Sequence, residues 1–266
     1  MAKPKHIELN EGSIHIPILY EDRSVLALDK PAGWMLAPDS WDETGRNLQL
    51  PLLSSMNAGD FWASSRNLKY LRYIHRLDAD TTGITMFAKS PGALKAYSEL
   101  FEERSVEKFY LAVVQGIPKE TRWTCNLPLQ PDPAMKGRMI IARATSAGPR
   151  LPMNEPKDAE THFEVLQTLA NTALVEAHPT TGRTHQIRVH LAAGGHPVVA
   201  DDLYGTNTGN KSRKLALRAV ELRFRDPFQK RNIRIQAPVA AFLREHGFEQ
   251  IAPPPSPTSP PIAKKE

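Results

Sequence analysis

His75-Arg76-Leu77-Asp78-Ala79-Asp80-Thr81-Thr82-Gly83 runs directly into Ile84-Thr85-Met86-Phe87-Ala88-Lys89. The first part is a polar, glycine-containing bend, and the second alternates as a half-buried strand does. Asp78 therefore stands at a strand edge beside an arginine, placed to stay ionised and to face a ligand. The same letters also spell an Asx-type turn, in which Asp78 or Asp80 ties neighbouring N–H groups. The rest of the chain separates the two readings.

Downstream lies Pro179-Thr180-Thr181-Gly182-Arg183-Thr184-His185-Gln186-Ile187-Arg188-Val189-His190-Leu191. Pro, Thr and Gly make a turn, Thr184 is the expected helix N-cap, Ile187 and Leu191 share a face, and Gly194-Gly195 ends the helix. Arg183 sits at the loop-to-helix junction, where a fixed guanidinium holds a carboxylate or phosphate bidentately. Upstream, Leu26-Ala27-Leu28-Asp29-Lys30-Pro31-Ala32-Gly33 reads as a strand running into a Pro/Gly turn.

Further strands are expected over residues 25–28, 83–88, 109–114, 161–166, 173–177, 218–224 and 232–236. A helix follows Ser90-Pro91, with Leu94, Tyr97, Leu100 and Phe101 on one side; others are expected over 184–193 and 239–246. Strands outnumber helices and βαβ alternation is scarce, so the fold class is α+β. Residues 1–14 read as a flexible lead-in, 15–251 as the main domain, and 252–266 as a disordered Pro-rich tail. Residues 40–68, which hold Trp41 and Trp62, look irregular.

The chain has 266 residues and a formal charge of +5, enough length for a large core and a balance compatible with RNA. One cysteine, Cys125, excludes an intrachain disulfide, and a reducing, cytoplasmic location is expected. No apolar stretch approaches the ~20 residues of a membrane span, and no signal peptide is visible. Lys211, Arg213, Lys214, Arg218, Arg223, Arg225, Lys230, Arg231 and Arg234 crowd one region, better explained as a group by phosphate contacts than as a solvated face.

The three segments together resemble the RluA branch of the pseudouridine synthases, which carries a KPAG-like turn, an HRLD motif and an RTHQIRVHLA segment in this order. Lys108-Phe109-Tyr110-Leu111-Ala112 is similar to the family's KxYxA strand. Gly195-His196-Pro197 through Asp201, Tyr204 and Gly205 is similar to its GHPxxxDxxYG loop, and Leu215 to Pro227 to its closing stretch. The resemblance runs from about Pro17 to about Leu243. It implies a mixed, largely antiparallel sheet with a central catalytic cleft. No S4-like domain is expected ahead of the first strand, so target recognition would fall on the catalytic domain itself.

The implied activity is conversion of a uridine in ribosomal or transfer RNA to pseudouridine, with no cofactor and no metal. Asp78 is implied as the catalytic carboxylate; whether it attacks C1′, adds to C6 or removes the 2′ proton stays open. Arg183 is assigned as the cation beside it, and Tyr110 as the ring under the uracil, with a possible part in moving the C5 proton. Arg76 is implied to take the extruded base's place, the alternative being a simple pair with Asp78 or Asp80. Lys30 either meets phosphate or supports the Pro31 turn; Arg188 and Lys214 complete the expected RNA contacts. Ala79, Thr82 and Arg218 depart from the family's usual Lys/Arg, Ser and His, and Leu36-Ala37-Pro38 lacks a histidine often found there. The partner is RNA, with no obligate protein partner and a monomer expected. Two rivals are a non-catalytic RNA binder and a metal-dependent hydrolase built on His185, His190 and His196.

Overall fold

In chain order the strands are β1 (His6–Leu9), β2 (Ile14–Glu21), β3 (Val25–Lys30), β4 (Arg72–Tyr73), β5 (Thr82–Ala88), β6 (Glu107–Gln115), β7 (Arg122–Cys125), β8 (Leu129–Pro131), β9 (Met139–Ile141), β10 (Thr161–Leu169), β11 (Thr172–Pro179), β12 (Leu217–Arg225) and β13 (Asn232–Gln236). The helices are α1 (Gln49–Ala58), α2 (Phe61–Ser64), α3 (Pro91–Glu102), α4 (Gln186–Ala193) and α5 (Ala240–Glu245). This computed structural model describes residues 2–9, 14–36, 45–142, 155–205 and 214–249. Trp41, Lys211, Arg213 and the tail at 252–266 lie outside the described residues.

Eleven strands make one sheet, ordered β1-β2-β3-β5-β12-β6-β11-β10-β7, with β4 on β5 and β13 on β12; β8 and β9 form a separate hairpin. Every pairing is antiparallel except β5 with β12, joined through Arg218↔Thr82 and Ala219↔Gly83. The mixed, largely antiparallel α+β architecture is the one expected. Ala219 is also opposite Tyr110, so Gly83, Ala219 and Tyr110 lie in one row across three strands. Two interstrand steps of about 4.8 Å put Gly83 and Tyr110 about 10 Å apart, just beyond the Asp78 bend. Gly83 has φ +106°, and a Cβ there would collide with the Ala219 carbonyl oxygen, so only glycine allows this close pairing.

Local chemistry explains the elements that were anticipated. Ser90 Oγ accepts the Ala93 N–H at 3.1 Å and Pro91 opens α3. Tyr97, buried against the sheet, donates its hydroxyl to Asp226 at 2.8 Å. Such a buried aromatic contributes on the order of 2 kcal/mol in apolar transfer, and its hydroxyl needs the partner it finds. In β3 a continuous apolar run is buried on both faces, whereas β13 alternates exposed and buried, as a strand with one open face does.

Three expectations require correction. Residues 6–9 are not a loose lead-in: β1 pairs with β2, and Ile7 and Leu9 are buried. Residues 40–68 include α1 and α2, whose Leu52 and Trp62 join the core under β1 to β3. Neither N-cap residue bonds its helix through its side chain, though Asn47 Oδ1 accepts the Gln49 N–H at 2.9 Å at the start of α1, and burial holds both helices. The third concerns Thr184, since α4 is preceded by His185 in the left-handed region at φ 56°. The turn is tied instead by the buried Gln186, whose Oε1 accepts the Arg183 N–H at 3.0 Å and the Thr181 hydroxyl at 2.7 Å.

Candidate active site

A cleft of about 580 Å³ opens where the Asp78 bend, the start of β6 and the α4 turn converge. Asp78, Tyr110, Arg183 and Arg188 all line it, as do Arg76, Thr81, Arg104, Lys108 and His185. The sheet's central row places Tyr110 there, and the bend before β5 delivers Asp78.

The cation against Asp78 is Arg188, not Arg183. One terminal nitrogen of Arg188 lies 3.7 Å from Asp78 Oδ2. The other two nitrogens make a bidentate pair with Asp201, both at 2.7 Å. Asp201, with no side-chain exposure, also accepts the Leu203 and Tyr204 N–H groups through Oδ1. Burial works against the Arg188 charge, but the Asp201 bonds, then the Asp201 and Asp78 charges, raise it above its ordinary value. The Tyr204 ring lies 5.1 Å beneath the guanidinium. A guanidinium fixed on two sides therefore presents its third edge to Asp78. Arg183 instead donates Nε–H to the Asp158 carbonyl at 2.9 Å and stands as a separate cation on the cleft wall.

Tyr110 is partly open to the cleft. Desolvation, then the Asp78 charge, push its hydroxyl well above the ordinary value, so it carries its proton at neutral pH. It can stack or donate there, but it starts no reaction as a base. His75 is also neutral: burial, then the Lys108 charge, lower it to about 3. Its Nε2 accepts the Met86 N–H at 3.2 Å and its ring stacks on Phe101 at 4.5 Å, which anchors the bend to β5.

Lys30 does not reach RNA. Its side chain is fully buried, and its ammonium donates to the carbonyls of Pro31 at 3.0 Å, Trp34 at 2.7 Å and Ala79 at 2.7 Å. Burial lowers it to about 7, opposed by the Asp80 and Asp78 charges. Three carbonyl acceptors match the three donors of the protonated form, whereas a neutral amine would turn its lone pair on one of them. Lys30 thus ties the turn after β3 to the residue following Asp78. Lys30→Met leaves these carbonyls without their donor and is expected to lower the unfolding free energy in urea by about 1–3 kcal/mol.

Arg76 is exposed at the cleft rim, and Lys214 is exposed outside the cleft lining. The three histidines considered for a metal are engaged separately. His185 Nδ1 meets the Tyr204 hydroxyl, His190 meets Thr161 and the Leu127 carbonyl, and His196 meets the Gln115 carbonyl. The one convergent His/Glu group among the described residues is His6, Glu8 and His15, exposed on the β1–β2 hairpin and absent from the cleft lining. Sequence reasoning gave no site role to Arg104, Lys108, Asp201 or Tyr204, and considered His185 only as a metal ligand. Asp201 and Tyr204 stood in a matched loop, and that loop was the available signal. Arg218, in place of the usual histidine, pairs with Asp29 at 2.7 Å.

The chain is also similar to known proteins. The family model described as RNA pseudouridylate synthase matches residues 24–193. The chain is 34% identical over 235 residues to ribosomal large subunit pseudouridine synthase C of Salmonella typhimurium, covering 85% of this chain and 67% of that one. The Escherichia coli K12 protein of the same name is 33% identical over the same coverage. Human RNA pseudouridylate synthase domain containing 1 superposes with a TM-score of 0.65 at 27% identity, covering 85% of this chain and 84% of that one. The chain belongs to the RNA pseudouridylate synthase family, in its RluA branch, and is an enzyme that isomerises uridine to pseudouridine in RNA. No helix among the described residues is long and apolar enough to cross a membrane.

Proposed function

We propose that this enzyme isomerises a uridine of ribosomal RNA, working on a nucleotide extruded from its stack into the cleft between β5, β6 and α4. The observation that carries the reading is the Asp201–Arg188–Asp78 array, a carboxylate at the cleft floor held beside a guanidinium that another carboxylate fixes. The ribosomal names of the similar proteins favour ribosomal over transfer RNA. The N1–C1′ bond breaks, the uracil turns in place, C5 bonds to C1′, and the C5 proton leaves to solvent while N1 gains one. Asp78 is the group that meets the sugar or base in this sequence, and Tyr110 lies under the uracil. Exposed Arg76 takes the vacated place in the helix, since its plane stacks on bases and its charge meets phosphate. A monomer working in the cytoplasm is part of the same proposal.

The test is tritium release from ribosomal RNA labelled at uridine C5, isolated from cells lacking the gene. Release confined to one or a few mapped positions supports the reading. No release from ribosomal RNA but release from transfer RNA moves the substrate to the second class.

Lys108 adds a pH-dependent contribution to binding. Its ammonium donates to the Thr181 carbonyl at 3.0 Å on the cleft wall, and burial, then the Arg104 charge, lower it to about 8. The cation is present below that value and lost above it. RNA affinity is therefore expected to weaken as pH rises through about 8, with the slope of log affinity against log salt falling by about one. Lys108→Met should show the weaker, shallower binding at every pH, read by filter binding.

A further inference from the structure

His185 is the site residue whose ring is held on one side by a hydrogen-bond chain and open to the cleft on the other. It occupies the left-handed region at φ 56° and ψ 16°, which costs a non-glycine residue about 1 kcal/mol and recurs at functional sites. Its Nδ1 lies 2.8 Å from the Tyr204 hydroxyl. That hydroxyl already accepts the Met139 backbone N–H, at 2.9 Å, from β9. A phenol has one proton to give, and burial pushes Tyr204 up to about 12, so the proton is retained. With one lone pair taken by the Met139 N–H, that proton has Nδ1, 2.8 Å away, as its acceptor in one arrangement of the pair. The ring is neutral, since burial lowers His185 against the opposing pull of Asp78. In that arrangement the ring's own proton sits on Nε2. Among the described residues no group is hydrogen-bonded to Nε2, and the ring lines the cleft. The Tyr204 ring that sets this tautomer is the one beneath Arg188, so the donor and the Asp78 partner share one support.

We propose that His185, resting on the reading above, is a specificity-determining residue: its Nε2–H donates to the O4 keto oxygen of the extruded uracil, and the Met139–Tyr204 chain locks it as a one-way donor. Four cations, Arg76, Arg104, Lys108 and Arg183, line the same cleft and are suited to phosphate. A neutral donor suits a neutral acceptor. Cytosine carries an amine at C4 where uracil carries oxygen, so a donor that cannot reverse would face another donor. An unlocked histidine would accept from that amine as readily as it gives to the oxygen. The lock is therefore what turns an ambivalent ring into a reader of uracil.

Two measurements test this. The first uses the protein alone: long-range 15N–1H correlation of the imidazoles should show His185 protonated at Nε2 and bare at Nδ1, with both tautomers appearing in Tyr204→Phe. Protonated Nδ1 in the wild type overturns the proposal without touching the assigned activity. The second uses hairpin oligonucleotides carrying uridine or cytidine at the position mapped by tritium release. Wild type should prefer uridine by about tenfold, the worth of one buried hydrogen bond. The preference should shrink to within about twofold in His185→Ala. It should also shrink in His185→Gln, whose amide can turn to serve either base, and fall partway in Tyr204→Phe, which keeps the ring beneath Arg188. An unchanged ratio in all three variants, with unaltered melting temperatures, overturns the proposal. Absence of tritium release by the wild type would instead overturn the parent reading.

Discussion

Asp78→Asn is expected to abolish tritium release, lowering the single-turnover rate by about 10,000-fold or more, while RNA binding persists. The substitution keeps size and shape and removes only the charge at the cleft floor. Stability should change by less than about 1 kcal/mol, because Arg188 keeps its bidentate pair with Asp201 and Asp78 is itself partly exposed. A variant that binds, folds and does not release tritium assigns the chemistry to the carboxylate. Equal release by variant and wild type would sink the assignment. Trapping would then refine it: a covalent adduct on Asp78 speaks for attack at C1′ or C6, and a 2′-deuterium isotope effect speaks for proton removal.

Arg188→Met should be the most damaging single change to fold and activity together. It strands the fully buried Asp201 carboxylate and removes the cation facing Asp78. Breaking a buried pair costs about 3–5 kcal/mol, to be read as a lower urea midpoint. Activity should fall to background even where the variant remains folded. Adding Asp201→Asn should recover part of the stability, since no charge is then stranded, but none of the activity. Arg188→Lys keeps a charge and loses the fork, so it should rescue neither fully. Arg183→Met is the contrasting case: its one side-chain bond among the described residues is to a carbonyl near the surface, and its cost should stay near about 1 kcal/mol. If Arg183→Met proves as damaging as Arg188→Met, the assignment of partners is wrong.

That contrast marks where reading letters in order stops being enough. The two arginines are five residues apart in one motif, and both have the chemistry to face a carboxylate. Between them sits His185 at φ 56°, a reversal that no helical or strand periodicity anticipates. It sends Arg183 toward Asp158 and turns Arg188, inside α4, toward Asp78 and Asp201. Lys30 is a similar case. A lysine before a Pro/Gly turn is equally suited to phosphate or to backbone carbonyls, and only the return of the chain at Ala79, 49 residues later, supplies the third acceptor that buries it.

Features set by neighbouring residues were legible in the sequence: the Ser90-Pro91 cap, the alternation of β13, the bend that presents Asp78, and the ordered motifs that name the family. Each depends on backbone preference or on the period of burial, and both are local. Distant contacts settled the remainder. The apolar face of β1 found its place against α1 and α2, those helices formed where burial held them, and Tyr204 reached His185 only because α4 folds back on the loop that follows it. Packing free energy is shared among residues far apart in the chain, so no window of sequence contains it.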